Sequence, residues 1–202
     1  MTDSPPPSRP SRRTFVWVLL AFFAPLLAAF VLYYGIGWHP GGMNNKGDLI
    51  SPVVSLPDVA LQKADGGTLD ARWMQGKWTL VYAGDGTCDQ ACRDSLRTTL
   101  NVRQILGKDS LRVQRAFLFG GSCCDQSYFS AQHPDLVLAR IDDTIGKSLL
   151  KLFPQDEGAP LQARRIYIID PLGNLMMRYK SDVDGRDIYA DLKKLLSLSH
   201  IG

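Results

Sequence analysis

Between Thr14 and Asn45 the chain has no aspartate, glutamate, lysine or arginine. An uncharged run of that length does not belong to an ordinary solvated loop or surface helix. Phe15 to Tyr34 alone would make a helix of about 30 Å, the hydrocarbon thickness of a bilayer. Trp17 near one end, and Tyr33, Tyr34 and Trp38 near the other, suit the two interfaces. Pro25 sits mid-span, which membrane helices tolerate. A signal peptide is the competing reading, but its apolar core is usually about 7–15 residues and ends at a small-x-small cleavage site. Here the run is longer and leaves through large aromatics, so it reads as an uncleaved anchor.

Other scarcities narrow the function. Four cysteines in 202 residues do not make a disulfide scaffold, so the core must be hydrophobic. A basic excess is missing too: the first thirteen residues carry a net +2 and the remainder only +1. That excludes an electrostatic footprint for nucleic acid. Neither Cys-x-x-Cys nor Pro-x-x-x-Thr-x-x-Cys occurs, which counts against the usual thiol oxidoreductase and peroxidase motifs. There are three histidines: His39 in an interfacial stretch, His133 before a proline, and His200 in the tail.

The organisation expected is a disordered tail over 1–13, an anchor over 14–37, a tether over 38–50 and a single domain over 51–202. The tail is rich in Pro, Ser and Arg, and the tether in Gly, Pro and Asn. Arg9, Arg12 and Arg13 precede the span, whereas only Lys46 follows it closely. The positive-inside rule then puts the N-terminus in the cytoplasm and the domain across the membrane, in a bacterium the periplasm. That compartment permits disulfides.

What is present centres on residues 78–106. Trp78–Ala83 reads as a buried strand, Gly84-Asp85-Gly86-Thr87 as a loop, and Cys92, Leu96 and Leu100 as one face of a helix. Cys88 and Cys92 therefore arrive together at a helix N-terminus. Residues four apart on a regular helix hold their Cβ atoms roughly 5–6 Å apart, while a disulfide wants about 3.5–4.5 Å. To oxidise, Cys88 must sit in the loop or at the cap and swing toward Cys92. The wider gap suits two thiolates meeting across a soft ion such as Cu(I). Partial positive charge at the helix start, with Arg93 adjacent, favours the thiolate form. Either chemistry requires both sulfurs to be presented together at the mouth of the α/β layer; a pair pointing apart or sealed away from solvent would support neither.

Around this unit the pattern predicts a hairpin, with strands at 53–61 and 68–71 around Asp65-Gly66-Gly67. It also predicts strands at 111–119 and 136–141, a helix at 144–153, a strand at 165–170 returning after Pro171-Leu172-Gly173-Asn174 as 175–179, and an amphipathic helix through Ile188, Leu192, Leu195 and Leu196. A right-handed βαβ unit, an interlude and a closing ββα give an α/β thioredoxin-like sandwich, a central mixed sheet flanked by helices. Met176 and Met177 pack in the hairpin, one facing each way.

With its anchor, its Cys88-x-x-x-Cys92 and the block Ile166-Tyr167-Ile168-Ile169-Asp170-Pro171-x-Gly173, the chain resembles the Sco/SenC family of cytochrome oxidase assembly proteins over roughly residues 52–198. The resemblance implies a tethered thioredoxin-like domain that helps assemble the oxidase copper centre. Cys88 and Cys92 would either pass Cu(I) or reduce cysteines of the oxidase's copper-binding subunit. Partners would be that subunit or another copper chaperone. Two departures stand out. Arg93 replaces the proline usual after the second cysteine, and Gln162 stands where the copper-ligating histidine is expected.

Auxiliary candidates are Cys123 and Cys124, in a loop after the neighbouring strand, as extra ligands or resolving thiols, and His133 as a substitute ligand. Asp85, Asp89 and Asp125 are loop carboxylates able to tune thiol pKa. Two rival classes remain open: a general thiol–disulfide or peroxiredoxin-like enzyme, and a non-catalytic docking module for oxidase assembly.

Overall fold

The computed structural model describes residues 12–35, 45–123, 125–199 and 201. The expected tail through residue 11, the last two residues of the expected anchor, residues 38–44 of the expected tether with His39, the candidate Cys124, and His200 in the tail lie outside those residues. The chain divides between residues 44 and 45 into two units. The first contains helix α1 (Arg12–Phe30), with Pro25 inside it, closing in a π-helical turn over Val31–Gly35. Arg12–Gly35 is long and apolar enough to cross a membrane, a property that anchors and signal sequences share.

In the second unit β3 (Trp78–Asp85), buried up to its last residue, is the middle of a seven-stranded sheet. It is flanked by β4 (Val113–Gly120) in parallel and β6 (Ile166–Ile169) antiparallel. Beyond β4 lie β5 (Leu136–Arg140), parallel, and the two-residue β2 (Gln62–Lys63). Beyond β6 lie β7 (Asn174–Tyr179) and β1 (Asp48–Ser55), each antiparallel to its neighbour. Continuous apolar sequence in β3, β4 and β6 follows from this position, because both faces of the central strands are covered. β7 sits nearer the edge and alternates, with Met177 buried and Met176 half-buried.

Helix α2 (Gln90–Ile105) crosses from β3 to β4 and packs with α6 (Gly185–Leu198) on one face through Leu96, Val102, Ile188, Leu192 and Leu196. The short α3 (Gln126–Gln132) adds Phe129 to the same core. The other face is closed by α4 (Thr144–Leu150), Phe153 and the segment carrying Leu56, Leu61 and Met74. A single turn, α5 (Pro160–Ala163), leads into β6. The result is an α/β thioredoxin-like mixed sheet with flanking helices.

The expected opening hairpin is where the structure departs most. Residues 48–55 form β1 and pair with β7, 119 or more residues away in sequence, and not with the segment that follows them. Around Gly66-Gly67 only a single bridge forms, Gln62 to Thr68. Local turn chemistry is satisfied there, with Asp65 accepting from the Gly67 N–H, while the backbone of β1 is paired along the free edge of β7. At the entry to this unit the buried carboxylate of Asp191 accepts from the backbone N–H groups of Lys46 and Gly47 and from the Tyr179 hydroxyl. That fixes the first residues of the domain onto α6.

Candidate functional site: a joined cysteine pair at a helix start

β3 ends at Asp85, whose carboxylate accepts from both the backbone N–H and the hydroxyl of Thr87. This short loop turns the chain, and the Cys88 N–H reaches back to the Asp85 carbonyl. Cys88 then adopts φ +47°, in the left-handed region that non-glycine residues rarely occupy. Asp89 is the N-cap of α2, its side chain accepting from the Cys92 N–H at 3.1 Å. Cys92 thus lies in the first turn, and Cys88 lies just outside the helix. The bend brings their Cα atoms to 5.1 Å and the two are joined as a disulfide, inside the Cα range such bonds accept.

The pair is not open to solvent. Cys88 is 4% exposed and Cys92 3%, so the sulfurs are together as expected but not presented to solvent, and in this closed state the pair serves neither exchange nor metal transfer. The reason is packing. Both cysteines belong to the core cluster of Tyr82, Leu96, Phe119 and Phe129, with Tyr128 and Cys123 packed against it. Gly86 closes the neighbouring side: its N–H donates to the Gly120 carbonyl, and a Cβ there would stand 2.6 Å from the Ser122 carbonyl oxygen. The loop after β4 therefore lies directly against the loop that carries Cys88. Thr87, Asp89, Gly121 and Ser122 are exposed around the pair.

The charges surrounding it are specific. The Cys92 N–H, and after it the Arg164 guanidinium at 2.6 Å, hold the Asp89 carboxyl below the usual carboxylate range. Hydrogen bonds from Thr87 do the same for Asp85. Burial pushes the Tyr82 phenol up to about 12, so it stays protonated near neutrality and is no base for a thiol. Arg93 curls back to donate from Nε to the Cys88 carbonyl at 3.4 Å, and its guanidinium carbon lies 4.6 Å from the centre of the Tyr128 ring. A cation at a helix N-terminus opposes the helix dipole by about 0.3–1 kcal/mol. An aromatic face returns roughly 0.5–1 kcal/mol. For the helix itself Arg93 is close to neutral.

The auxiliary candidates fall as follows. Cys123 is half-buried, packs against the same cluster and is itself disulfide-bonded, so it is not a free thiol in this state. Asp125 caps α3 through the Tyr128 N–H. His133 is 3% exposed, with Nδ1 3.3 Å from Arg115 Nη2 and Nε2 3.4 Å from the Tyr128 hydroxyl. Both ring nitrogens face protein partners. Burial first, then Arg115, lowers its pKa. Gln162 is exposed. Among the described residues no group of three or more His, Cys, Asp or Glu is placed to hold a metal ion. The described donor set does not fit a three-ligand copper site, and Cys88 and Cys92 become metal donors only after reduction.

Three features escaped the sequence reading. One is the Arg164–Asp89 pair, which depends on a left-handed residue at the end of α5. Another is the stacking of Arg93 on Tyr128. The last is Arg115, fully buried in β4 and bonded to Thr99, the Leu96 carbonyl, Asp135 and His133. An arginine directly before the apolar run Ala116–Phe119 was the available signal for that one.

Comparison with known proteins adds the lineage. The profile of the family described as "Transmembrane-like, thioredoxin-like, C-terminal domain" matches residues 78–199, more than half of the chain. The chain belongs to that family. No curated protein matches it significantly. Among solved structures, this member is similar to apo Sco1 from Thermus thermophilus, with a TM-score of 0.61 and 20% identity over 77% of this chain and 99% of that one. It is also similar to copper-bound ScoI from Arabidopsis thaliana, with a TM-score of 0.58 and 19% identity over 72% and 99%. Copper-bound Sco1 from yeast gives 0.59 and 17% over 74% and 96%. At these identities the likeness is one of fold: a Sco-like thioredoxin fold carrying a close Cys88–Cys92 pair.

Proposed function

We propose that this is a membrane-anchored, Sco-like thiol–disulfide exchange protein that reduces a cysteine pair in a client on the outer face of the membrane. The client favoured is the copper-binding subunit of cytochrome c oxidase during assembly of its copper centre. One observation carries the reading: Cys88 and Cys92 meet as a disulfide at the strand–loop–helix junction of a Sco-like fold, and among the described residues no group of three or more His, Cys, Asp or Glu is placed to hold a metal with them. That favours the redox branch over Cu(I) transfer. The apolar N-terminal helix supports anchoring, and the arginines before it support a cytoplasmic N-terminus.

In the forward step the Cys88 thiolate attacks one sulfur of the client disulfide. The client's S–S bond breaks, a Cys88–client S–S bond forms, and the departing client sulfur takes a proton from solvent. Cys92 then gives up its proton and attacks the Cys88 sulfur, releasing the second client thiol and closing the Cys88–Cys92 bond. Two electrons and two protons pass from the pair to the client. A protein dithiol on the same side of the membrane must restore the reduced pair. Cys88 is assigned the attacking role because it lies in the loop outside the helix, whereas Cys92 lies in its first turn; both are buried in the closed state, so exchange requires the segments that cover them to move.

The test uses the full chain in detergent, reduced and mixed with purified copper-binding subunit whose cysteines are oxidised. The expected result is one pair of client thiols gained for each pair lost, no transfer from Cys88→Ser, and a trapped mixed disulfide with Cys92→Ser. A client that stays oxidised here, while a small dithiol reduces it readily, would refute the assignment.

A further inference from the structure

The carboxylates beside the cysteine pair are already engaged. Asp89 is held by Arg164 and by the Cys92 N–H, and Asp85 is turned onto Thr87. Arg93 is different. Among the described residues it makes no ion pair; Asp125 senses its charge without reaching it. It is half-buried, directly follows Cys92 in sequence, and is folded back onto the carbonyl of Cys88. Its other face rests on Tyr128, whose hydroxyl meets His133, which in turn meets Arg115. The guanidinium is thereby held at a helix start where it does little for the helix.

A charge in that position acts when Cys88 loses its proton. Breaking the disulfide leaves a negative sulfur in a nearly closed site, and an uncompensated cation is the group that favours it. We propose that Arg93 is a positioning residue for exchange. Its guanidinium, clamped between the Cys88 carbonyl and the Tyr128 ring, fixes the Cys88 loop and stabilises the Cys88 thiolate that attacks the client. This rests on the thiol–disulfide reading above and names the group that sets its pH range. The rate of exchange follows the thiolate fraction of the attacking thiol, so Arg93 governs speed near neutrality.

The experiment is the pH dependence of iodoacetamide alkylation at Cys88, followed by mass spectrometry on reduced full chain in detergent, in a Cys92→Ser background. Arg93→Gln is expected to move the midpoint up by roughly half to one pH unit, and so to slow alkylation at pH 7 by about three-fold or more. Arg93→Lys keeps the charge and should return the midpoint most of the way. Tyr128→Leu, which removes the ring face and leaves the arginine, should give an intermediate midpoint. Far-ultraviolet circular dichroism on each variant reports whether the fold is retained. A midpoint unmoved by Arg93→Gln, or moved equally by Arg93→Lys, would overturn the proposal. Because iodoacetamide needs no client, these results stand whether or not client reduction succeeds.

Discussion

Asp89 has two partners at the start of α2, a backbone N–H inside the helix and a guanidinium outside it. The cap is the stronger contribution, since the ion pair is about half exposed on both sides and exposed pairs contribute little. Asp89→Ala should therefore cost about 1 kcal/mol of stability, and Asp89→Asn, which keeps the acceptor, much less; urea unfolding of the two variants measures the difference. His133 makes a second residue-scale prediction. Its pKa in the fold lies below the ordinary histidine value because burial and Arg115 disfavour the imidazolium. The unfolded chain binds the proton first, so the stability His133 contributes is complete above about pH 6.5 and is lost as pH falls through its folded value. Asp135 and Arg97 also face it, with opposite effects. Asp85, Asp89 and Asp125 titrate well below this window. The melting temperature should fall between pH 7.5 and 5.5, and fall less in His133→Gln; parallel curves for the two proteins would contradict this.

Elements place the site more firmly than any one side chain does. β3, the Asp85–Asp89 loop and α2 were legible from residue pattern alone: an apolar run, a glycine loop, then cysteine and leucines at helical spacing. The Asp170–Asn174 turn was legible for the same reason. Its geometry is written into local chemistry, with Asp170 accepting from Leu172 and Asn174. Features that depend on distant partners were not legible. β1 pairs with the last strand of the sheet, a choice no local signal encodes. α5, four residues long, is too short for helical periodicity to register, and α3, with Phe129 as its one buried residue, shows no apolar face in the sequence. The near-closure of the cysteine pair belongs to this class as well. Tyr128 comes from α3, and the loop after β4 approaches because Gly86 has no side chain. The strand–loop–helix pattern placed the two sulfurs together, while the elements that cover them came from elsewhere in the chain.

At the scale of the molecule, an apolar helix able to cross a membrane accompanies a Sco-like domain with a joined Cys88–Cys92 pair and, among the described residues, no cluster of three or more metal-ligating side chains. Relatives of the same fold have been seen with copper bound. Here Gln162 is exposed and both nitrogens of His133 are taken up by Arg115 and Tyr128. The electron exchange proposed above needs the two sulfurs of Cys88 and Cys92 and no further ligand. Burial of the pair makes that demanding, because a partner thiolate must reach a sulfur that is almost enclosed. The most direct measurement is a redox titration of the folded full chain against dithiothreitol mixtures of graded potential. Quenched samples would be read by alkylation at Cys88 and Cys92, with circular dichroism recorded in parallel. Reversible reduction and reoxidation of that pair, with the fold unchanged throughout, is the result predicted. A bond that opens only when the domain unfolds would show a structural staple in place of an exchange site, and would contradict it.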